Sequence, residues 1–282
     1  MSKIGIAVCG NSGIDYLEHD KEIRKFRSHL IIKNKEFEDF VDVSADEFYA
    51  QLDENPNLAI HTAQTSTGKL IEMYDEMHDA GYDEIIAVSI SSQLSGTYQN
   101  AILAAGMVDY KVHVFDALTV SYPEALMALH AKKMADEGKS VIEILEELEF
   151  IRDHHHILIC VDTLKYLVKN GRLSNASGLI GSLLKIKPLL EVNALGKVVT
   201  LEKIRTTKKA RIQMKKRFLE EVEGKKVIPF LLYTNNLDEV NEIKAEYEAA
   251  GLKDILVIPL TPVVGCHAGP GTMGVGYIER RN

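Results

Sequence analysis

No stretch of this sequence is long and apolar enough to span a bilayer. No long basic run is present either, and the formal charge is −8 at pH 7. Both features argue against a nucleic-acid backbone or an anionic membrane surface as partner. Cysteine is scarce: Cys9, Cys160 and Cys266 are odd in number and lack CxxC spacing. A disulfide framework or a zinc site is therefore not expected. Met1–Gly10 offers neither a basic leader nor a long apolar stretch, so the expectation is a cytoplasmic chain without a signal peptide. The phosphate signatures are missing as well. There is no GxxxxGK[ST], and Gly10-Asn-Ser-Gly13 stands where a dinucleotide GxGxxG would follow the first strand. No internal repeat or low-complexity tract is found. What remains is the composition of an ordinary globular protein, with 282 residues, 46% hydrophobic and 26% charged. Such a chain fills one large domain or two medium ones and needs no metal or disulfide to hold its core.

Short apolar runs bounded by turn residues predict strands at Ile4–Val8, Leu58–Ile60, Ile85–Ile90 and Lys111–Phe115. Helical spacing follows at Lys69–Ala80, Thr97–Gly106 and Tyr122–Glu137, and Ser44 with Glu47 forms a capping box before a further helix. Strands alternating with helices imply a mainly parallel sheet. The second half reads differently. Val141–Ile151 is helical, and Asp153-His-His-His156 is a polar break expected to be a solvated loop. Ile157–Val161 predicts a strand, Thr163–Val168 and Ala176–Leu184 predict helices, and Leu189–Val192 with Lys197–Arg205 predicts a hairpin. Thr207–Val222 is a helix, Val227–Leu260 a β-α-β unit, and Val264–Gly276 a glycine-rich close. The expected fold class is α/β. An N-terminal domain, 1–154, holds a mainly parallel sheet flanked by helices, and a C-terminal α/β domain, 155–282, holds a mixed sheet.

Ligands of parallel α/β sheets bind in the crevice at the strand carboxyl ends. Three loops expected there are crowded with hydroxyls and glycine: Asn11-Ser-Gly13, Thr62-Ala-Gln-Thr-Ser-Thr67 and Ser91-Ser-Gln-Leu-Ser-Gly-Thr97. With the N–H groups of following helices they would suit a small carboxylate or phosphate; equally, the hydroxyls would serve as plain helix caps. His267 lies in the segment Gly265-Cys-His-Ala-Gly-Pro-Gly271, where a constrained backbone could hold it near a ligand or leave it a bystander. Cys266 beside it fits a small buried residue better than a nucleophile. Ser95, Asp116 and His267 follow the chain order of an α/β-hydrolase triad, so a serine hydrolase or acyltransferase using Ser95 and His267 is the alternative activity. Gln93-Leu-Ser-Gly96 is not the GxSxG elbow such an enzyme needs. Arg172 in Asn170-Gly-Arg-Leu-Ser174, and Arg205 in Lys203-Ile-Arg-Thr-Thr-Lys-Lys209, are either solvated charge or an anchor for an acidic partner.

In combination, Thr62-Ala-Gln-Thr-Ser66, Ile90-Ser-Ser-Gln-Leu-Ser-Gly-Thr-Tyr98, Gly171-Arg-Leu173 and His267-Ala-Gly-Pro-Gly271 resemble the DegV family. These are bacterial fatty-acid-binding proteins that include the lipid-carrying subunits of fatty acid kinase. The resemblance covers nearly the whole chain. Departures are Gly10-Asn-Ser12 for the family's Thr-Asp-Ser, Thr62-Ala-Gln-Thr-Ser66 for Thr-Ser-Gln-Pro-Ser, and Asn170-Gly-Arg172 for Gly-Gly-Arg. The resemblance implies a two-domain carrier that encloses one long-chain fatty acid in an apolar tunnel and is not itself an enzyme. Thr62 and Ser95 would hydrogen-bond the carboxyl group, Gly96 would offer its N–H, and His267 would contact the same group. Arg172 and Arg205 would face an ATP-binding kinase subunit that phosphorylates the fatty acid to an acyl phosphate. No cofactor, metal or catalytic residue is expected in the carrier, and a monomer is the default. Several converging donors suit a carboxylate leaving water, and each buried CH₂ of the tail contributes about 0.8 kcal/mol. Leu179, Ile180, Leu183, Leu184, Ile186 and Leu189 are tunnel candidates, and would serve equally as core residues.

Overall fold

A computed structural model of the chain describes residues 2–55, 58–174 and 186–281. Their elements begin with strands β1 (Ile4–Cys9), β2 (Arg24–Phe26), β3 (His29–Ile32) and β4 (Lys35–Glu38), then helix α1 (Ala45–Glu54) and β5 (Ile60–Ala63). Next come α2 (Thr67–Asp79), β6 (Glu84–Ser89), α3 (Thr97–Ala105), β7 (Lys111–Asp116), α4 (Tyr122–Asp136) and α5 (Val141–Asp153). The rest are β8 (His155–Cys160), α6 (Lys165–Lys169), β9 (Leu189–Val192), β10 (Val198–Glu202), α7 (Thr207–Val222) and β11 (Val227–Tyr233), followed by α8 (Leu237–Ala249), β12 (Leu256–Pro259), α9 (Pro262–Ala268) and β13 (Met273–Glu279). The chain forms two compact units, Met1–Asp42 with His61–Asp153, and Val43–Ile60 with His154–Asn282. The α/β class expected from the sequence is present: one sheet is parallel and another is mixed.

In the first unit the parallel sheet runs β2-β1-β6-β7. All six residues of β1 are buried, and α4 packs across β1 and β6. Continuous burial explains why β1 reads as an unbroken apolar run and not as an alternating one. β1 leads into two 3₁₀ turns, Gly10–Ser12 and Ile14–Tyr16, and not into the helix expected after the first hydroxyl-rich loop. A further correction concerns the second loop. β5 starts at Ile60 and belongs to a separate three-stranded sheet, β4-β3-β5, so Thr62 lies within a strand outside the parallel sheet. β2, β3 and β4 leave no strand signal because they are three or four residues long, and β2 and β4 carry charges such as Arg24, Lys35 and Glu36 where an apolar run would mark a strand. β3 and β4 turn at Lys33 and Asn34, both with positive φ (50° and 63°), the backbone of a tight hairpin.

The second unit is built on a six-stranded mixed sheet, β10-β9-β8-β13-β11-β12, in which only β11 and β12 pair in parallel. Helix α7 sets Ala210, Met214, Phe218 and Val222 on one face at four-residue spacing, and all are buried against the sheet with Val240 and Tyr247 of α8. Two expectations change here. His155 and His156 are not a solvated loop; they open β8, opposite Ile278 and Tyr277 of β13. The glycine-rich close is not all loop: Thr261 caps α9, accepting the Val264 N–H at 3.5 Å, and Pro262 fills its first turn. β13 then runs through the sheet interior with Gly274 and Gly276 masking it in the sequence.

Candidate functional site

Within the first unit, two segments carry the candidate ligand residues. Thr62 is half-buried in β5; half-buried Ser95 and exposed Gly96 precede α3. Side chains tie the segments together. Asn100 Nδ2 donates to the Thr65 carbonyl at 2.6 Å, and the Thr67 hydroxyl donates to Asn100 Oδ1 at 2.6 Å. Gly96 lies against the end of the exposed Gln64 side chain, which would have to move aside for a Cβ there. Cap roles are present too. Ser66 accepts the Lys69 N–H at 3.3 Å, and Ser95 Oγ accepts the Thr97 N–H at 3.2 Å while lying 2.8 Å from the Thr97 hydroxyl.

Asp116, at the end of β7, accepts the N–H groups of Ser92 and Leu118 through Oδ1, each at 3.1 Å. Its carboxylate thus anchors the Ser91–Gly96 loop. These hydrogen bonds of Asp116 and Ser95 are those of turns and caps, and none of them is one a hydrolase triad uses.

Beneath this edge lies a group that the sequence reading missed. Glu124, in the first turn of α4, is wholly buried, and among the described residues both its carboxylate oxygens lack a hydrogen-bond partner. Buried Thr119 Oγ1 and Ser121 Oγ are equally unpartnered, and Ser121 holds φ at +65°. Burial pushes the Glu124 carboxyl well above the usual range, with the Asp116 charge adding to it. The available signal was a lone acid in the otherwise apolar run Tyr122–Ala128, all of it buried.

In the second unit, His267 sits in the last turn of α9, not in a loop. Burial first, and the Arg172 charge second, lower its pKa to about 4, so the imidazole is neutral at physiological pH. Arg172 is brought into the same neighbourhood by Asn170, whose Nδ2 donates to the Cys266 carbonyl at 3.2 Å. α9 is followed by Gly269 at φ +86°, where the Tyr166 ring fills the space a Cβ would need. It is braced by α1: the Tyr49 hydroxyl donates to the Leu260 carbonyl at 3.0 Å, and the Tyr49 ring packs on Gly265. Burial raises the Cys266 thiol to about 11, leaving it protonated. Arg205 is exposed just before α7, and Thr206 caps that helix by accepting the Lys209 N–H at 3.3 Å.

Of the tunnel candidates, Leu179, Ile180, Leu183 and Leu184 lie outside the described residues. Ile186 is half-buried, and Leu189 is fully buried in β9 opposite Cys160 of β8. A cavity of about 500 Å³ in the second unit is lined by charged and amide residues including Asp53, Asp162, Arg211, Asn235 and Glu239, which does not suit an acyl tail. Among the described residues no cluster of three or more His, Cys, Asp or Glu is placed to hold a metal ion, and no helix is long and apolar enough to cross a membrane.

Comparison with known proteins gives a family model, described as an uncharacterised protein of the DegV family, that matches residues 6–280. The chain belongs to the DegV family. A DegV domain-containing protein of Clostridium acetobutylicum is 31% identical over 286 residues, covering 99% of this chain and 100% of its own. A fatty-acid-binding DegV-family protein from Thermus thermophilus superposes with a TM-score of 0.88 at 30% identity, covering 99% of this chain and 100% of its own. DegV of Bacillus subtilis, a fatty-acid-binding protein, gives 0.86 at 26% identity with 99% and 100% coverage. In this DegV-family chain Thr62, Ser95 and Gly96 fall in the first unit, while His267, Arg172 and Arg205 fall in the second.

Proposed function

We propose that the protein is a fatty-acid carrier that sequesters one long-chain fatty acid. The observation that carries this reading is the pairing of the Thr62 and Ser95–Gly96 segments in a chain similar along its whole length to DegV-family proteins that bind fatty acids. Thr62 and Ser95 are proposed to hydrogen-bond the ligand carboxylate, Gly96 to offer its N–H, and neutral His267 to contact the same group. Donors without a full positive charge hold the carboxylate while leaving it able to act as a nucleophile. The finer reading is that the carrier is a cytoplasmic monomer of two domains meeting near residue 154. It presents the carboxyl group to an ATP-binding kinase subunit that supplies the chemistry, with Arg172 and Arg205 facing that partner.

Mass spectrometry of organic extracts of the purified protein tests the central reading. A bound fatty acid is expected. Protein that is lipid-free and also fails to take up added fatty acid would overturn it. For the partner surface, Arg205→Ala is expected to retain lipid binding and lose coupling to the kinase; loss of lipid binding would place Arg205 in the pocket.

A further inference from the structure

The two hydroxyls proposed for the ligand carboxylate come from segments that belong to different sheets. Thr62 belongs to β5 of the three-stranded sheet, whereas Ser95 follows β6 of the parallel sheet. Among the described residues no ladder of backbone hydrogen bonds joins those sheets, so strand pairing does not fix the distance between the hydroxyls. Side chains must. Asn100 is the residue whose one side chain bonds to both ends of the Thr65–Thr67 segment while its own backbone N–H donates to the Gly96 carbonyl at 3.0 Å. Thr65 in turn donates its hydroxyl to the Arg27 carbonyl at 2.7 Å, and the Arg27 guanidinium grips Asp15 with two bonds of 2.6 and 2.8 Å. The segment after β5 is thus held on one side by the Arg27 backbone and on the other by Asn100.

The chemistry of the clamp requires an amide. A carboxamide donates through nitrogen and accepts through oxygen at once, as the Thr65 carbonyl and the Thr67 hydroxyl demand. A carboxylate of the same shape only accepts, and would face the Thr65 carbonyl with charge.

We propose that Asn100 is a positioning residue that sets the spacing of the Thr62 and Ser95 hydroxyls and thereby the affinity for a carboxylate head group. This inference rests on the fatty-acid reading above and adds a determinant of head-group selectivity to it. Asn100 acts through the two loops and need not touch the ligand.

The test uses the delipidated full-length chain and two ligands of equal tail, palmitic acid and its alcohol. The tail contributes the same to both, so only the head group separates them. Asn100→Asp is expected to weaken palmitic acid binding about tenfold, the scale of one disrupted hydrogen bond, while leaving the alcohol within about twofold of wild type. Thr67→Val, which removes one arm of the clamp and keeps the shape of the side chain, is expected to show the same selective loss, and serves if Asn100→Asp does not fold. Variants that bind both ligands as wild type does, or lose both equally, would overturn the inference. Wild-type protein that binds neither ligand defeats the fatty-acid reading itself, and the inference falls with it.

Discussion

The imidazole of His156 lies 2.6 Å from Glu221 through Nδ1 and 2.8 Å from Glu191 through Nε2. Both ring nitrogens face carboxylates, which only accept, so the ring is an imidazolium donating two charge-assisted hydrogen bonds. It links β8 to β9 and α7, and Arg217 Nε donates to the other Glu221 oxygen at 2.9 Å. Burial alone would lower the His156 pKa, but the Glu221 and Glu191 carboxylates outweigh it and the net shift is upward.

A raised folded-state pKa gives stability that is complete below the unfolded value, about 6.5, and lost as pH rises through the folded value. His156→Gln is therefore expected to cost about 1–3 kcal/mol near pH 6 and progressively less toward pH 9. Thermal unfolding across that range checks it. A penalty independent of pH would show that the ring is held for its shape alone.

Glu124 works in the opposite sense. Its folded pKa is raised, so the folded chain holds a proton that the unfolded chain gives up above about pH 4.3. Stability is drained as pH climbs from there toward the folded pKa. Glu124→Gln, neutral at every pH, is expected to unfold a few degrees above wild type at pH 7, with the advantage shrinking toward pH 4. Equal unfolding temperatures at pH 7 would mean that Glu124 is ionised and compensated.

The thiols of Cys9, Cys160 and Cys266 are all buried, and burial raises each: Cys160 to about 12, Cys266 to about 11, and Cys9 well above its usual value. Thiolate is the reactive form. Ellman's reagent is expected to react with none of them at pH 8 in the folded protein and with all three after denaturation in guanidinium.

Gly269 follows α9 with φ +86° and ψ 164°, a conformation essentially confined to glycine. Gly269→Ala also drives a methyl into the Tyr166 ring. A loss of about 1–3 kcal/mol is expected from the backbone conformation, read by urea denaturation, and Gly171→Ala, with positive φ but open space around it, should cost less.

Much of the fold was legible because period and caps coincide. α7 falls at the predicted limits, β11 opens at Val227 where the predicted β-α-β unit begins, and Ser44 with Glu47 forms the expected capping box. The hydroxyl-rich loops were legible as a set, since Thr and Ser clusters stand out between apolar runs. The sheet to which each loop belongs was not, because β3, β4 and β5 are only four residues each, too short to signal a sheet of their own, and β4 is charged as well. His156 was misread for a related reason: a polar triplet suggests solvent, and its carboxylate partners come from positions 191 and 221, far along the chain. Glu124 and Asn100 carry no motif. Their importance depends on burial and on a two-sided amide contact, which appear only after folding.

Val43–Ile60 leaves the first unit, supplies the second with α1, and returns. Scissors applied between Asp153 and His154 would not release two self-sufficient halves. The downstream fragment would lack Tyr49, the hydroxyl on the Leu260 carbonyl and the ring against Gly265, and so the brace beneath the helix that bears His267. The upstream fragment would display the same ring to water. Co-expressed pieces should therefore find each other through this strap, and a peptide spanning residues 43–60 should rescue the downstream piece added in trans.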